Sequence, residues 1–239
     1  MKSLSTLRDV LLFALDDGHV LVSATDSCGS IGTQKQDALQ VSAAIAGAMT
    51  AKVALMEILA VGATPLFVSV PVASSPAVAN TVLQGVQEIL GHTLPLMTSS
   101  EKNMPTSQTS FGVTITGLVK KEALRVAKAK AGDRLYCAGF PLLGKDVLEN
   151  EGLVCTAKEV QQLFDSPTVH SILPVGSQGV AKEANILAKE SALQVSFFPQ
   201  KEVNLYTSAG PSTCVLFAAP ENEAPVLRVP ISCIGQLIK

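Results

Sequence analysis

Between residues 42 and 61 apolar side chains recur at helical spacing with alanine predominant, and Gly62-Ala63 followed by Pro65 closes the segment. Glycine just past a helix end and proline soon after are stop signals, because glycine accepts left-handed backbone and proline cannot continue the hydrogen-bond ladder. A strand-length apolar run, 66–72, follows at once. A long helix of small apolar residues set against strands asks for close layers of helix on sheet. The composition agrees. Hydrophobic residues make up 47% of the chain and charged ones 16%, which excludes disorder. Aromatics reach only 4%, with no Trp, so the core has to be built from Ala, Val, Leu and Ile.

The rest of the chain alternates strands and helices. Two apolar runs, 11–15 and 19–24, flank Asp16-Asp17-Gly18, and Asp-Gly between such runs is a strong hairpin signal. A polar, glycine-bearing loop follows at 25–32. The pattern then predicts a helix at 77–90 ending at Gly91, a short strand at 94–97, and a strand at 112–119 after the polar stretch 98–110. A basic helical turn or two is expected within 121–130. Strands are expected at 134–138, 212–219 and 228–238, and helices at 157–164 and 180–192. At 239 residues the chain has room for one large domain or two small ones. The reading is an α+β (mixed α/β) protein of two domains, 1–120 and 121–239, with the boundary near 120–133.

Composition also bounds the partners. Eighteen Lys and Arg against 20 Asp and Glu leave a formal charge of −2, which gives no electrostatic footprint for nucleic acid or an anionic membrane. The longest apolar stretches, 38–49 and 53–72, are broken by Gln40, Ser42, Lys52, Glu57 and Pro65, so neither offers the ~20 clean residues a bilayer needs. Asp9, Asp16 and Asp17 argue against a signal peptide. The five cysteines are scattered, with no CxxC pair, which points to a reduced, cytoplasmic protein. Small molecules are the expected partners.

Few residues stand out chemically. Asp26 closes a predicted strand and opens a glycine-bearing loop; it could hold Mg²⁺ while loop amides face phosphate, or simply bond its own turn. Glu57 sits on a largely apolar helix face, so it is either buried with a metal or partner, or paired to Lys52. Glu101 follows a strand directly, in a polar loop. Gly176-Ser177-Gln178-Gly179 precedes a helix and could offer amides to an anion, although such a spacing is more often a plain turn. The three histidines form no cluster, and GxSxG, Walker A, GxGxxG and HExxH are all missing.

Taken together these segments resemble the aminoimidazole ribonucleotide (AIR) synthase superfamily. The resemblance rests on Asp26-Ser27-Cys28-Gly29-Ser30, Met56-Glu57 through Gly62-Ala63-Thr64-Pro65, Ser99 through Pro105, the strand at 109–117, the turn Ala131-Gly132-Asp133, and Gly210-Pro211-Ser212-Thr213. Within that superfamily Asp26-Ser27-Cys28-Gly29, the helix segment Val53-Ala54-Leu55-Met56-Glu57, Pro105 through Thr109 and Pro174 through Gly179 look like the α-ribazole kinases of cobamide salvage.

The resemblance implies a PurM-like two-domain fold and ATP-dependent phosphorylation of a nucleoside-like acceptor. It also implies a homodimer whose N-terminal sheets share one barrel, with no nucleic acid and no membrane. Asp26, Glu57 and Glu101 would converge on one or two Mg²⁺ ions. Gly29, Ser30, Gly32, Lys35, Ser177 and Gly179 would serve the ATP phosphates, and Asn103 or Thr106 would orient the acceptor hydroxyl. Asp37 is a reserve ligand or base. The family's glycine-rich, Lys-bearing N-terminal flap is missing, with only Arg8-Asp9 and Lys35 near the expected site. Two rivals follow: an ATP-consuming enzyme with another acceptor, and a non-catalytic ATP-binding dimer.

Overall fold

In the computed structural model, residues 4–15, 18–199 and 202–239 are described. The chain divides into two compact units, Met1–Ile58 with Ala63–Glu122, and Leu59–Gly62 with Ala123–Lys239.

The first unit contains β1 (Leu4–Leu7), β2 (Val10–Ala14), β3 (His19–Gly29), β4 (Ile31–Gly32), β5 (Leu39–Gln40), α1 (Ala43–Ala60), β6 (Thr64–Val72), α2 (Pro76–Leu90), β7 (Leu96–Ser100) and β8 (Ser110–Lys120). Six of the strands form a sheet in the order β1-β2-β3-β8-β6-β7, while β4 and β5 make a short parallel pair. Asp16 and Asp17 of the expected hairpin turn lie outside the described residues. The arms pair as a hairpin's would, from Val10 opposite Ala24 to Ala14 opposite Val20.

Register decides which face is covered, because side chains alternate sides along each strand. Val10, Ala24, Ile115 and Val68 lie in one row across four strands and are each 2% exposed or less. One residue along, Leu11, Ser23, Thr116 and Phe67 form the opposite row, with Leu11 41% and Phe67 44% exposed. The helices cover the first face. Thr50 of α1 hydrogen-bonds the Cys28 thiol, and Ile58 Cγ2 lies 3.1 Å from where a Cβ on Gly117 would stand. The two helices meet backbone to backbone: a Cβ on Gly47 would strike the Val82 carbonyl, and one on Gly85 the Ala44 carbonyl. Small residues permit that approach, which explains the alanine-rich sequence of α1. By length and composition alone α1 could cross a membrane, yet 72% of it is buried inside the fold.

The second unit contains β9 (Arg134–Gly139), α3 (Asp146–Glu149), α4 (Ala157–Asp165), β10 (Ser171–Pro174), α5 (Val180–Glu190), β11 (Gln194–Phe197), β12 (Cys214–Ala219) and β13 (Ile231–Ile238). Its antiparallel sheet runs β10-β12-β9-β13-β11, around a core that includes Leu135, Leu173, Leu187, Leu216 and Leu237. The start of α4 is a capping box in which Thr156 and Glu159 satisfy each other's backbone amides.

Three expectations need correction. Of the one or two helical turns expected over 121–130, the chain forms a single 3-10 turn, Lys121–Ala123. Beyond it the Arg125 N–H donates to the Val61 carbonyl (3.1 Å), its guanidinium stacks 4.3 Å over the Phe164 ring, and Ala127 adopts φ 53°, outside helical backbone. Strands β10 and β11 were not expected, since four residues carry too little alternation to read. Asp26 does not close its strand: β3 runs on to Gly29 because β8 pairs with it as far as Ser110.

Candidate functional site

Both β3 and β6 run antiparallel to β8, and β7 runs parallel to β6, so the carboxyl ends of β3, β6 and β7 reach the same sheet edge. Three loops leave from there: 30–41 after β3, 73–75 after β6, and 101–109 after β7. Loops on a rigid sheet edge are where binding groups gather. These three are sewn together. Ser30 N–H donates to the Thr109 carbonyl (2.9 Å) and Gln36 N–H to the Ser107 carbonyl (3.1 Å). The Ser74 hydroxyl donates to the Gln108 carbonyl (3.2 Å) and accepts from Ser110 N–H (3.1 Å), while Glu101 N–H reaches the Ser74 carbonyl (3.1 Å). The amino end of α2 opens at the same edge, and its Ser75 makes no side-chain cap.

Asp37 is the knot. It is buried, and its Oδ1 accepts from Thr109 N–H (2.7 Å), while Oδ2 accepts from Thr109 Oγ1 (2.8 Å) and Gln34 N–H (2.7 Å). Burial pushes the carboxyl up, but these three donors outweigh it and hold it below the usual carboxylate range. A carboxylate so committed is a structural clamp rather than a spare ligand or base. Gly32 belongs to the clamp as well: a Cβ there would strike the Thr109 hydroxyl and come within 2.9 Å of Asp37 Oδ2.

Asp26 differs in kind. It occupies the helix-facing register of β3, opposite Val113 and between Ala24 and Cys28. Burial pushes its carboxyl up from 3.8 to about 6; the Ser27 N–H partly offsets this, and the charge of Asp9 adds to it. The neighbouring Cys28 thiol is pushed up to about 11 by burial, against the Thr50 hydrogen bond, with the charges of Asp26 and Asp37 adding. Asp26 therefore carries a negative charge that its surroundings disfavour.

The other expected residues divide. Glu101 stands at this edge, its Oε1 accepting from Asn103 N–H (2.6 Å) and Met104 N–H (3.1 Å), which hold its carboxyl below the usual range. Asn103 is exposed in the same loop and Thr106 half-buried. Gly29 faces open space, whereas the Ser30 amide is already engaged by Thr109. Lys35 is exposed between the tethered Gln34 and Gln36, and Lys102 is exposed beside Glu101. Glu57 is buried, at 5% exposure, on α1. Among the described residues no group of three or more His, Cys, Asp and Glu side chains is placed to hold a metal, so Asp26, Glu57 and Glu101 do not form the expected cluster. Ser177 and Gly179 lie in the second unit, in the turn before α5. There the Ala181 N–H donates to the Leu205 carbonyl (2.8 Å), and the 205–207 backbone packs against Gly179.

Ser74, Gln108 and Thr109 were not singled out in the sequence. Ser74 lies in a Ser-Ser-Pro helix start, a readable N-cap signal, but nothing local marks Thr109 as the partner of a residue 72 positions earlier.

No protein-family model matches the sequence, and no curated protein matches it. Solved structures do. The thiamine-monophosphate kinase of Stenotrophomonas maltophilia is similar over 99% of this chain and 88% of its own, with TM-score 0.63 and 16% identity. AaThiL complexed with AMPPCP and TMP is similar over 98% of this chain and 86% of its own, with TM-score 0.71 and 14% identity. Phosphoribosylformylglycinamidine synthase II of Thermotoga maritima covers 97% of this chain with 37% of its own length, at TM-score 0.57 and 17% identity. The chain thus has the fold of these proteins, a mixed α/β architecture as expected from the sequence.

Proposed function

We propose that the chain is an ATP-dependent small-molecule kinase whose nucleotide phosphates lie at the carboxyl ends of β3, β6 and β7. One observation carries the reading. A half-buried, charge-disfavoured Asp26 lies on β3 three residues before the strand end from which the tethered loops leave, on a fold similar from end to end to a protein complexed with AMPPCP and TMP. Phosphoryl transfer asks a protein mainly for positioning and charge neutralisation, which such an edge can supply. Lys35 and Lys102, from two adjacent loops, provide the cationic groups, and the open approach at Gly29 admits the phosphates. Asn103 or Thr106 orients the acceptor hydroxyl.

Among the described residues no closed three-carboxylate metal cage is built. They fit Mg²⁺ carried in on the nucleotide, since that ion usually takes one or two carboxylates beside phosphate oxygens, and Asp26 gains from a neighbouring cation. When bound, the ion would neutralise phosphate charge; Asp26 is the residue that would hold it. The acceptor proposed is α-ribazole, on the sequence resemblance. A homodimer is proposed through the uncovered face of the first sheet, where Leu11, Phe67 and Met97 are exposed.

The test is ATP consumption with Mg²⁺, with and without α-ribazole, following ADP and phosphorylated nucleoside by mass spectrometry. Stoichiometric ADP and α-ribazole phosphate, lost in Asp26→Asn, supports the proposal; turnover unchanged in Asp26→Asn overturns the assigned site. Glu57→Gln run beside it asks whether that buried carboxylate is needed for turnover. A second reading, a non-catalytic ATP-binding dimer, is favoured by the lack of a three-carboxylate cluster among the described residues and would appear as nucleotide binding without turnover for any acceptor.

A further inference from the structure

The second unit holds a constellation that the proposed kinase site does not use. In the turn before β9, Asp133 Oδ2 accepts from the backbone N–H of Lys130 (2.8 Å) and lies 2.8 Å from His170 Nδ1; Lys130 Nζ lies 2.9 Å from His170 Nε2. Asp133 is buried, His170 half-buried and Lys130 exposed. An ionised carboxylate can only accept, so the proton between Asp133 and His170 belongs to Nδ1. That fixes the tautomer and leaves the Nε2 lone pair facing the Lys130 amine.

The backbone anchors this geometry on both sides. Asp133 N–H donates to the Lys130 carbonyl (3.1 Å), Gly132 N–H to the Leu237 carbonyl (2.8 Å), and His170 N–H to the Ala218 carbonyl (2.8 Å). A surface lysine ordinarily has free rotamers. Lys130 is instead held at its backbone by Asp133 and at its tip by the imidazole that Asp133 orients. Nucleophile, base and orienting carboxylate stand in the order that activates serine and cysteine nucleophiles elsewhere.

We propose that Lys130 is a site of N-acylation by activated acyl donors, with His170 as the base. Lys130 enters as the neutral amine, having lost one proton to solvent. Its Nζ attacks the donor's carbonyl carbon, the N–C bond forms, and the bond from that carbon to the leaving group breaks. With an acyl phosphate the C–O bond breaks and phosphate departs with the electron pair; with an acyl thioester the C–S bond breaks and thiolate departs. The second proton on Nζ passes to His170 Nε2, and Asp133 stabilises the imidazolium. The product is an amide at Lys130, with loss of that side chain's charge.

The full-length protein incubated with acetyl phosphate, and separately with acetyl-CoA, tests this by site-resolved mass spectrometry. The exposed Lys128, Lys145, Lys158 and Lys189 of the same unit serve as internal standards. Lys130 should acetylate at least about tenfold faster than their mean, a modest share of what a positioned base contributes. His170→Gln should bring it down to their level while leaving theirs unchanged. Asp133→Asn should do the same, by reversing the tautomer. A variant that unfolds would raise all the lysines together and so be recognised. Reaction with only one donor assigns the source. Lys130 reacting no faster than the standards with either donor, or staying fast in a folded His170→Gln, overturns the proposal.

Discussion

Replacing Asp26 by Asn should stabilise the first unit while abolishing nucleotide turnover. The magnitude follows from the position of the carboxyl. Its rise from 3.8 to about 6 means the folded chain binds that proton more tightly than the unfolded chain does. Stability is then full below about pH 4, falls as pH rises toward 6, and stays reduced above it. At ~1.36 kcal/mol per pKa unit the penalty approaches about 3 kcal/mol at pH 8, and the side chain's residual solvent contact brings the gain expected from Asp26→Asn to about 1–3 kcal/mol. The carboxamide oxygen can still accept from Ser27 N–H, so little is lost in exchange. Native-state hydrogen exchange on peptides from β3 and β8 reads the first unit alone. Variant and parent compared at each pH cancel the intrinsic exchange rate. The expected result is slower exchange in the variant at pH 8, a gap that narrows through pH 6 and closes by pH 4. A variant equally or less protected at pH 8 would refute the reasoning that burial penalises this charge.

Three further predictions rest on the loop clamp and on α4. Gly32→Ala should cost about 1–3 kcal/mol by forcing apart Thr109 and Asp37, whereas Gly29→Ala, with open space around it, should be close to neutral; paired urea melts decide. Asp37→Asn, which turns one acceptor oxygen into a donor facing N–H or O–H groups, should cost about 2–3 kcal/mol and raise the KM for ATP more than it lowers kcat. Glu159→Ala should cost about 2–3 kcal/mol by opening the α4 capping box and leaving Arg228 without its carboxylate. Burial pushes Glu159 up, but Thr156 and Arg228 hold its carboxyl below the usual range. Its contribution should therefore be present above pH 4.5 and fade as the parent is acidified, so parent and variant melts converge in acid.

Helix α1 was readable as a long, nearly continuous apolar run and α2 by its periodicity, and the ends of both are punctuated, by Gly62 with Pro65 and by Gly91, which caps α2 at φ 75°. Strand β3 was readable over its first half, but its extension through Asp26 to Gly29 depends on a partner strand some 90 residues later. A separation of 72 residues likewise hid the function of Asp37. Alone in the sequence it is one more loop carboxylate, and only the return of Thr109 makes it a clamp. Glu57 illustrates the converse: its apolar helix face does lie buried, but the sequence around it carries no information on which other carboxylates that face meets.

The pairing of β3 with β8 has a consequence for how the chain emerges during synthesis. His19 finds Lys120 as its partner, so α1 and α2 are both made before the strand that closes the sheet between β3 and β6 exists. Until β8 has left the ribosome, α1 is an apolar segment of 18 residues with the length and composition of a membrane span and no completed sheet to lie on. A contact spanning a hundred residues is slow to close. Through that interval the apolar side chains that α1 later buries have no completed sheet to lie on, and arrival of the 110–120 segment is the event that withdraws them from solvent.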